Sequence, residues 1–221
     1  MNNTLRQKIN FYRYGNIMID LETLSTRTNA TITKIAAVEF NKWTGETGDE
    51  LLLYIDENEW GKHNRHIDGE TIVWWLSQSE DAVKSLLSTD VKLTLNAALQ
   101  ELSTFIRGHD NIMDEIPQFD LDENHILLPE DDKKRRVVVW GNGATMDISI
   151  LQSAYEHFDY IVPWQYWAVN DVRTIVDLKP SVKKDTQFEG VKHNPIDDCK
   201  HQIKYLCNTL KELKINNEQN I

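Results

Sequence analysis

Four carboxylates and one histidine, spread over most of the chain, are the side chains of this sequence best suited to chemistry. They are Asp20 and Glu22 in Ile-Asp-Leu-Glu-Thr, Asp147 after Trp-Gly-Asn-Gly-Ala-Thr-Met, and His193 with Asp198 in His-Asn-Pro-Ile-Asp-Asp. Carboxylate oxygens without clustered Cys or His favour Mg²⁺ or Mn²⁺ over zinc. The set indicates a site that binds divalent metal ions.

Asp20 and Glu22 form the closest pair in the sequence. Residues two apart on a strand project from one face, so the two carboxylates lie side by side while Ile19 and Leu21 can point into the core. Carboxylates about 4 Å apart repel by roughly 1 kcal/mol in water and about 4 kcal/mol at an effective dielectric of 20. Either a divalent cation binds there or one proton is shared. In the simplest alternative, Asp20 ends a strand and Glu22 is a solvated turn residue.

Each of the other three residues also has an ordinary structural explanation. Asp147 follows a strand and a glycine turn, where a carboxylate can cap a helix. His193 and Asp198 flank the start of the last helix, which Asn194-Pro195 begins, and most such pairs are surface hydrogen bonds. The prediction of a site therefore depends on the order of all five along the chain.

The surrounding sequence predicts a sheet with packed helices, an α/β fold. Short apolar or β-branched runs predict three strands in an antiparallel meander, at residues 16–21, 31–40 and 50–55, and a fourth at 136–140. Helical periodicity predicts helices at residues 69–84, 93–107, 146–157, 170–178 and 195–214. The carboxylates then lie at strand ends and helix starts.

A single domain is expected at 221 residues, because nothing in the chain resembles a hinged linker. We expect an N-terminal extension at 1–15, one domain at 16–214 and a frayed tail at 215–221. Residues 110–134 form an insert that is first acidic and then basic. Excluding duplex DNA by repulsion is one hypothesis for it.

Composition limits the possible partners. The net charge is −11, so a broad basic surface for gripping long nucleic acid is not expected, and nucleic acid would be held at a pocket. No apolar run approaches the roughly 18 residues of a membrane span, so we expect no membrane association and a cytoplasmic location. Cys199 and Cys207 are too few for a disulfide framework and are expected to be reduced.

The five residues in this order resemble the DEDDh 3′–5′ exonucleases, the DnaQ-like branch of the ribonuclease H-like fold. That family has Asp-x-Glu-Thr on its first strand, a central Asp and a late His-x-Ala-x-x-Asp. Here Asp20-Leu-Glu22-Thr23, Asp147 and His193 to Asp198 match, with Pro195 where many members have Ala. The resemblance covers roughly residues 16–210 and implies a central mixed five-stranded sheet flanked by helices.

Three further segments resemble the subgroup of phage exonuclease A and the mycobacterial exoribonuclease-like proteins. They are Thr71-Ile-Val-Trp-Trp-Leu-Ser-Gln-Ser, Trp140-Gly-Asn-Gly-Ala-Thr-Met-Asp and Asp171-Val-Arg-Thr. The His193-x-x-Ile-x-Asp-Cys segment is close to the phage version and tilts the expected substrate slightly towards DNA.

The resemblance implies a two-metal phosphodiester hydrolase acting on single-stranded 3′ ends and releasing nucleoside 5′-monophosphates. Asp20, Glu22, Asp147 and Asp198 would bind two Mg²⁺ or Mn²⁺ ions. His193 would be the general base, since an imidazole with a pKa near 6.5 accepts a proton at neutral pH. Glu22 would also orient the attacking water. Related exonucleases are sometimes dimers, so a homodimer is possible.

Candidate substrate contacts are Thr23 and Leu24 at the 3′-terminal nucleotide, Trp75 as a stacking face and Arg173 at a phosphate. Trp74 and Trp75 are adjacent on a helix, so at most one faces substrate and the other belongs to the core. Arg173 could equally brace its own helix. A cluster of lysines near His193 is either a phosphate guide or a solvated loop; it comprises Lys179, Lys183, Lys184 and Lys192.

Two alternatives stay open at this point. One is a 3′–5′ exoribonuclease using the same site, because the sequence does not place the contacts that sense a 2′-hydroxyl. The other is a non-catalytic nucleic-acid-binding domain, which the retention of all five side chains disfavours.

Overall fold

One mixed β-sheet carries helices on both of its faces. The computed structural model describes residues 15–86, 91–115 and 137–218. The strands are β1 Asn16–Thr23, β2 Ile32–Phe40, β3 Thr47–Ile55, β4 Lys92–Leu93, β5 Val138–Gly141 and β6 Val169–Asp171. Their order across the sheet is β4-β3-β2-β1-β5-β6, with β1 to β3 antiparallel and the β1–β5, β5–β6 and β3–β4 pairs parallel. The predicted meander is confirmed.

Seven helices are described besides a short 3₁₀ turn at Glu57–Glu59. They are α1 Gly69–Leu76, α2 Glu80–Leu86, α3 Leu95–Glu115, α4 Asp147–His157, α5 Val172–Val176, α6 Pro180–Asp185 and α7 Pro195–Glu218. In the described part of the chain, no helix has the length and apolar character needed to span a membrane.

Alternate residues of β1 enter two separate cores. Ile17, Ile19 and Leu21 pack with apolar side chains of α3 and α4. Met18 packs on the other face with residues of β2, α5 and α7, among them Cys199 and Ile203. Asp20 and Glu22 share the parity of Met18, so their side chains face α7.

The α/β class is confirmed, but the sheet has six strands where five were predicted. At one edge β4 contributes only two residues, too few for a pattern of alternating side chains to reveal. At the other edge β6 occupies the start of the segment predicted as a helix at 170–178. Its three residues pair with β5, a contact with a distant segment that local periodicity does not report.

Two further elements differ from the predictions. The helix expected at 69–84 is divided into α1 and α2, because the chain turns at Ser77 and Gln78, whose amides both bond carbonyls of the last turn of α1. Beyond residue 179, where no helix was predicted, α6 forms with Pro180 in its first turn, a position that needs no backbone N–H.

Part of the predicted domain plan lies outside the described residues. This holds for residues 1–14 of the predicted extension and for most of the predicted insert, from residue 116 onwards. Residues 110–115 belong to α3, and α7 includes residues 215–218 of the predicted tail.

Candidate active site

The end of β1 places Asp20 and Glu22 on the α7 face of the sheet. Glu22 is 7% exposed and pairs in register with Lys34 of β2, whose ammonium opposes part of the rise in its pKa. The Gln202 amide of α7 donates a hydrogen bond to Asp20 Oδ1 at 2.7 Å. A strand and the long C-terminal helix therefore fix the first carboxylate pair together.

Asp147 is carried to the same place by the turn between β5 and α4. Gly143 has a φ of +112°, which glycine adopts without strain, and the carboxylate of Asp171 accepts the Ala144 amide hydrogen at 2.6 Å. The backbone amides of Leu21 and Asn142 act on the Asp147 carboxylate and oppose part of the rise in its pKa that burial causes. The buried carboxylate thus connects β1, the turn and α4, which goes beyond the predicted alternative of a helix cap.

His193 lies in a loop that is fastened to the first turn of α7. Its backbone has a φ of +65°, a left-handed conformation that costs a non-glycine residue on the order of 1–2 kcal/mol. The His193 amide donates to Asp198 Oδ2 at 2.9 Å, and the Val191 amide donates to Asp197 at the same distance. These bonds hold the imidazole at the mouth of the site.

The carboxylates and the imidazole converge. One ligand atom from each of Glu22, His193 and Asp198 lies within 4.8 Å of the others. Asp20 and Asp147 are close enough for each to act on the ionisation of this group. The structure thus brings together all five side chains selected from the sequence.

Burial and mutual repulsion make these carboxylates hard to ionise. Burial raises the pKa of Asp147 to about 7 and that of Asp198 to about 6. The pKa values of Asp20 and Glu22 are raised well above the usual range, by burial first and then by the neighbouring carboxylates. A divalent cation would reverse this repulsion, and the all-oxygen carboxylate set fits Mg²⁺ or Mn²⁺.

The tryptophan pair occupies the other side of His193, with the roles opposite to the predicted assignment. Trp75 is 3% exposed, and its indole donates to the Thr23 carbonyl at 3.0 Å, so it offers no stacking face. Trp74 is 45% exposed, and its ring centroid lies 5.1 Å from that of His193. Side chains at adjacent helix positions point in different directions. Here Trp75 points inwards, where its indole N–H has a buried acceptor, and Trp74 points outwards.

The remaining predicted substrate contacts differ in accessibility. Leu24 is 1% exposed, so in this conformation it presents no surface for a base. Thr23 is also buried, and its hydroxyl donates to the Ser25 carbonyl at 2.8 Å. Arg173 is exposed and lies beside the Gly143 turn, where it lowers the pKa of Asp147.

Three supporting residues were not selected from the sequence. Gln202 follows Asp198 by one helical turn, a spacing that could have revealed it. Tyr205 donates its hydroxyl to Asn142 Oδ1 at 3.1 Å, and Asp171 both caps α5 and holds the glycine turn. Tyr205 acts through a tertiary contact, for which the sequence carries no local signal, whereas Asp171 lies in the Asp171-Val-Arg-Thr segment noted in the sequence, where it was given no role.

Solved structures with the same architecture include nucleases. The nuclease domain of 3′hExo, a DEDDh family member bound to rAMP, matches with a TM-score of 0.57 and 13% identity over 90% of this chain and 93% of that one. The E. coli ExoI–ssDNA complex matches with a TM-score of 0.53 and 12% identity over 91% of this chain and 40% of that one. The S. pombe Pop2p structure with Mg²⁺ and Mn²⁺ bound matches with a TM-score of 0.53 and 12% identity over 93% of this chain and 88% of that one. At such low identity these likenesses establish the fold, which is ribonuclease H-like.

The family assignment rests on the sequence itself. No match is found among curated protein sequences. Residues 15–210 match the family model described as the 3′-5′ exoribonuclease Rv2179c-like domain. That range includes β1, the glycine turn, the tryptophan pair and the start of α7, the segments that form the site. The chain therefore belongs to the Rv2179c-like 3′–5′ exoribonuclease domain family, and with it to the DEDDh 3′–5′ exonucleases whose motifs it carries.

Proposed function

We propose that this 3′–5′ exonuclease hydrolyses the terminal phosphodiester bond of single-stranded nucleic acid with Asp20, Glu22, Asp147, Asp198 and His193 as its active site. The observation that carries the proposal is the convergence of Glu22, His193 and Asp198 within 4.8 Å, beside two further buried carboxylates. The products would be nucleoside 5′-monophosphates.

The four carboxylates would hold two Mg²⁺ or Mn²⁺ ions. Bound ions supply charge neutralisation of the scissile phosphate and lower the pKa of the attacking water. The raised pKa values of the carboxylates support this assignment, because four carboxylates that are close together and at least partly buried are the donor set that a divalent cation stabilises. Gln202 would keep Asp20 in its binding orientation through the 2.7 Å hydrogen bond.

His193 would accept the proton of the attacking water. Burial, followed by the neighbouring Lys192, lowers the pKa of the imidazole, which keeps it neutral and able to accept a proton at neutral pH. Glu22 lies near enough to orient the water for attack. Trp74 and Trp75 limit the motion of the ring by edge contacts at 5.1 and 5.7 Å between centroids.

Among the substrate contacts, Trp74 replaces Trp75 as the stacking residue. Its exposed indole beside His193 would stack on a terminal base, a contact worth about 1–3 kcal/mol. Arg173 would contact a phosphate near Asp147. A contact of Thr23 or Leu24 with the terminal nucleotide would require α1 or the β1 end to shift, since both side chains are buried.

The substrate could be RNA or DNA, which differ in the sugar. The family description names an exoribonuclease, whereas the His193-x-x-Ile-x-Asp-Cys segment favoured DNA slightly. Both therefore enter the assay as substrates. A homodimer and a cytoplasmic location stay predictions, and sedimentation equilibrium tests the first.

The experiment uses purified protein with 5′-labelled single-stranded DNA and RNA, in Mg²⁺, in Mn²⁺ and in EDTA. We expect a ladder that shortens from the 3′ end only with metal. Asp147→Ala and His193→Ala should each abolish the ladder, while the exposed controls Asp177→Asn and His157→Ala should retain it. Binding without a ladder in either metal would instead show a non-catalytic nucleic-acid-binding domain. Full activity of Asp147→Ala would contradict the proposed site.

A further inference from the structure

Three cationic side chains border the acidic site without making an ion pair to any described residue. They are Arg173, Lys183 and Lys192, and we call them the basic rim. Many other lysines of the described segments have a carboxylate partner; these are Lys62, Lys84, Lys92, Lys179, Lys200 and Lys204. In a chain of net charge −11, positive charge left uncompensated beside a carboxylate cluster calls for an explanation.

Contacts place the rim around the site on the α6 and α7 side. Arg173 packs against the Gly143 turn, where a Cβ atom on the glycine would lie 3.4 Å from its Cζ. Lys183 Nζ lies 5.1 Å from the centroid of the Tyr205 ring, and Tyr205 bonds Asn142 in the same turn. Lys192 immediately precedes His193.

His201 shows that Lys183 and Lys192 face a common surface. Its ring packs between Phe188 and Tyr205, with centroid distances of 4.9 and 5.1 Å. Burial lowers the pKa of His201, and both lysines lower it further. Lys183 of α6 and Lys192 of the loop before α7 therefore both lie near one face of α7, beside the ion pair between Lys204 and Glu189.

This surface leads away from the scissile position. Asp198 and Tyr205 are seven residues apart on α7, which is about 10 Å along the helix axis. Lys183, which lies over the Tyr205 ring, is therefore displaced from Asp198 towards the C-terminal end of α7. It is placed for a nucleotide further along the strand.

We propose that the basic rim binds the phosphates of nucleotides upstream of the scissile bond, so that a single strand leaves the site over α6 and α7. The inference rests on the proposed exonuclease function and adds a path for the substrate. Phosphates are repelled by much of this acidic protein, so an uncompensated cationic path from the site is the favoured route. The rim would contact backbone phosphates, which DNA and RNA share.

The test measures binding separately from turnover. Fluorescence anisotropy gives the Kd of labelled oligothymidylate and oligouridylate, from a dinucleotide to longer strands, over a range of KCl concentrations. For wild-type protein we expect affinity to rise with strand length. Lys183→Gln should remove part of that gain and reduce the slope of log Kd against log[KCl] by about 0.7 for a long strand, and Lys183→Gln/Lys192→Gln by about 1.4.

Lys179→Gln is the matched control, because Lys179 adjoins α6 but is paired with Glu212 at 2.7 Å. It should leave both the length dependence and the salt slope as in wild type. Lys183 and Lys192 are exposed, so their substitution leaves the cores intact. The proposed role of the basic rim would be overturned if Lys183→Gln/Lys192→Gln kept the wild-type dependence of affinity on strand length and the wild-type salt slope. This holds even if wild-type protein degrades strands normally. Loss of the ladder in wild type would refute the exonuclease without affecting this binding result.

Discussion

The two faces of β1 differ in what their side chains do, although one eight-residue strand supplies both. On the α3–α4 face, Ile17, Ile19 and Leu21 join a core of apolar side chains. On the α7 face, Met18 joins a second core, while Asp20 and Glu22 extend that face into a cluster of carboxylates. One face gains stability from burial, and the other gives up some stability by burying like charges.

The protein tolerates unfavourable electrostatics on the α7 face of β1. Hydrogen bonds from α7 and from backbone amides hold the carboxylates in place although burial disfavours their charge. The core on the opposite face provides the rigidity. Substitutions on the two faces should therefore separate stability from activity.

The largest expected effect is on the α7 face. Asp20→Asn should reduce kcat by about a thousandfold or more, because several kcal/mol of charge stabilisation at the phosphate depend on the carboxylate cluster. The same change should raise the melting temperature of the metal-free protein, since it removes a repelling charge. Single-turnover assays and calorimetry in EDTA measure the two effects, and a lowered melting temperature would contradict the assigned repulsion.

The opposite pattern is expected from the α3–α4 face. Leu99→Ala in α3 removes a side chain that is fully buried in the first core and should lower the free energy of unfolding by about 2–5 kcal/mol. The kcat per folded molecule should stay within twofold of wild type. Urea unfolding and active-site titration check this, and a loss of kcat comparable to that of Asp20→Asn would show that the two faces are not separable.

Gln202 tests the support of the α7 face without removing a charge. Gln202 is 4% exposed, and its amide oxygen has no hydrogen-bond partner among the described residues, so its side chain bonds through the amide nitrogen to Asp20. Gln202→Met should weaken Mn²⁺ binding by about 10–100-fold while the fold is retained. Titration calorimetry measures the affinity.

Gln152→Met, an exposed substitution on α4, is the control for Gln202→Met. It should bind Mn²⁺ as wild type does. Equal Mn²⁺ affinity in Gln202→Met and wild type would mean that the amide does not position Asp20 for metal.

The smallest expected effect is the pH dependence of the metal-free protein. The pKa of Asp147 is raised to about 7 and that of Asp198 to about 6, so between pH 4 and pH 7 the folded state binds more protons than the unfolded state. These groups therefore lower stability as pH rises through that window, and their full contribution is present below it. His193 acts in the opposite direction, since its pKa is lowered.

Comparison with Asp147→Asn isolates the carboxylate contribution. Melting temperatures in EDTA should fall with pH more steeply for wild type than for the variant, by a few degrees. Burial also raises the pKa of Glu39 to about 7, but Glu39 is present in both proteins, so its contribution cancels in the comparison. Adding Mg²⁺ or Mn²⁺ should abolish the steeper fall of the wild-type melting temperature with pH. Parallel curves for the two proteins in EDTA would contradict the raised pKa of Asp147.

Much of the fold was predictable because its signals are local. The β1–β3 meander, α4 and α7 follow from alternation, glycine turns and Pro195, and each formed close to its expected bounds. β6 was missed because three residues have too short a pattern, and their strand conformation depends on pairing with β5. The break between α1 and α2 was missed because apolar periodicity continues across it.

The candidate site divides in the same way. Gln202 could have been found from its helical spacing to Asp198, whereas the contact of Tyr205 with Asn142 joins residues far apart in the chain. The accessible tryptophan could not be chosen from the sequence either. Trp74 and Trp75 have identical chemistry, and only the Thr23 carbonyl, brought near by β1, determines which indole is buried.

The sequence by itself determined the chemical identity of the site: four carboxylates and a histidine whose types and order match one family of exonucleases. Side-chain chemistry and order are properties of the chain and need no fold to be read. The tertiary structure decided which groups meet, how far burial raises their pKa values, which tryptophan faces substrate and where uncompensated cations lie. These depend on distances between segments more than 180 residues apart, which only packing of the sheet against α7 sets.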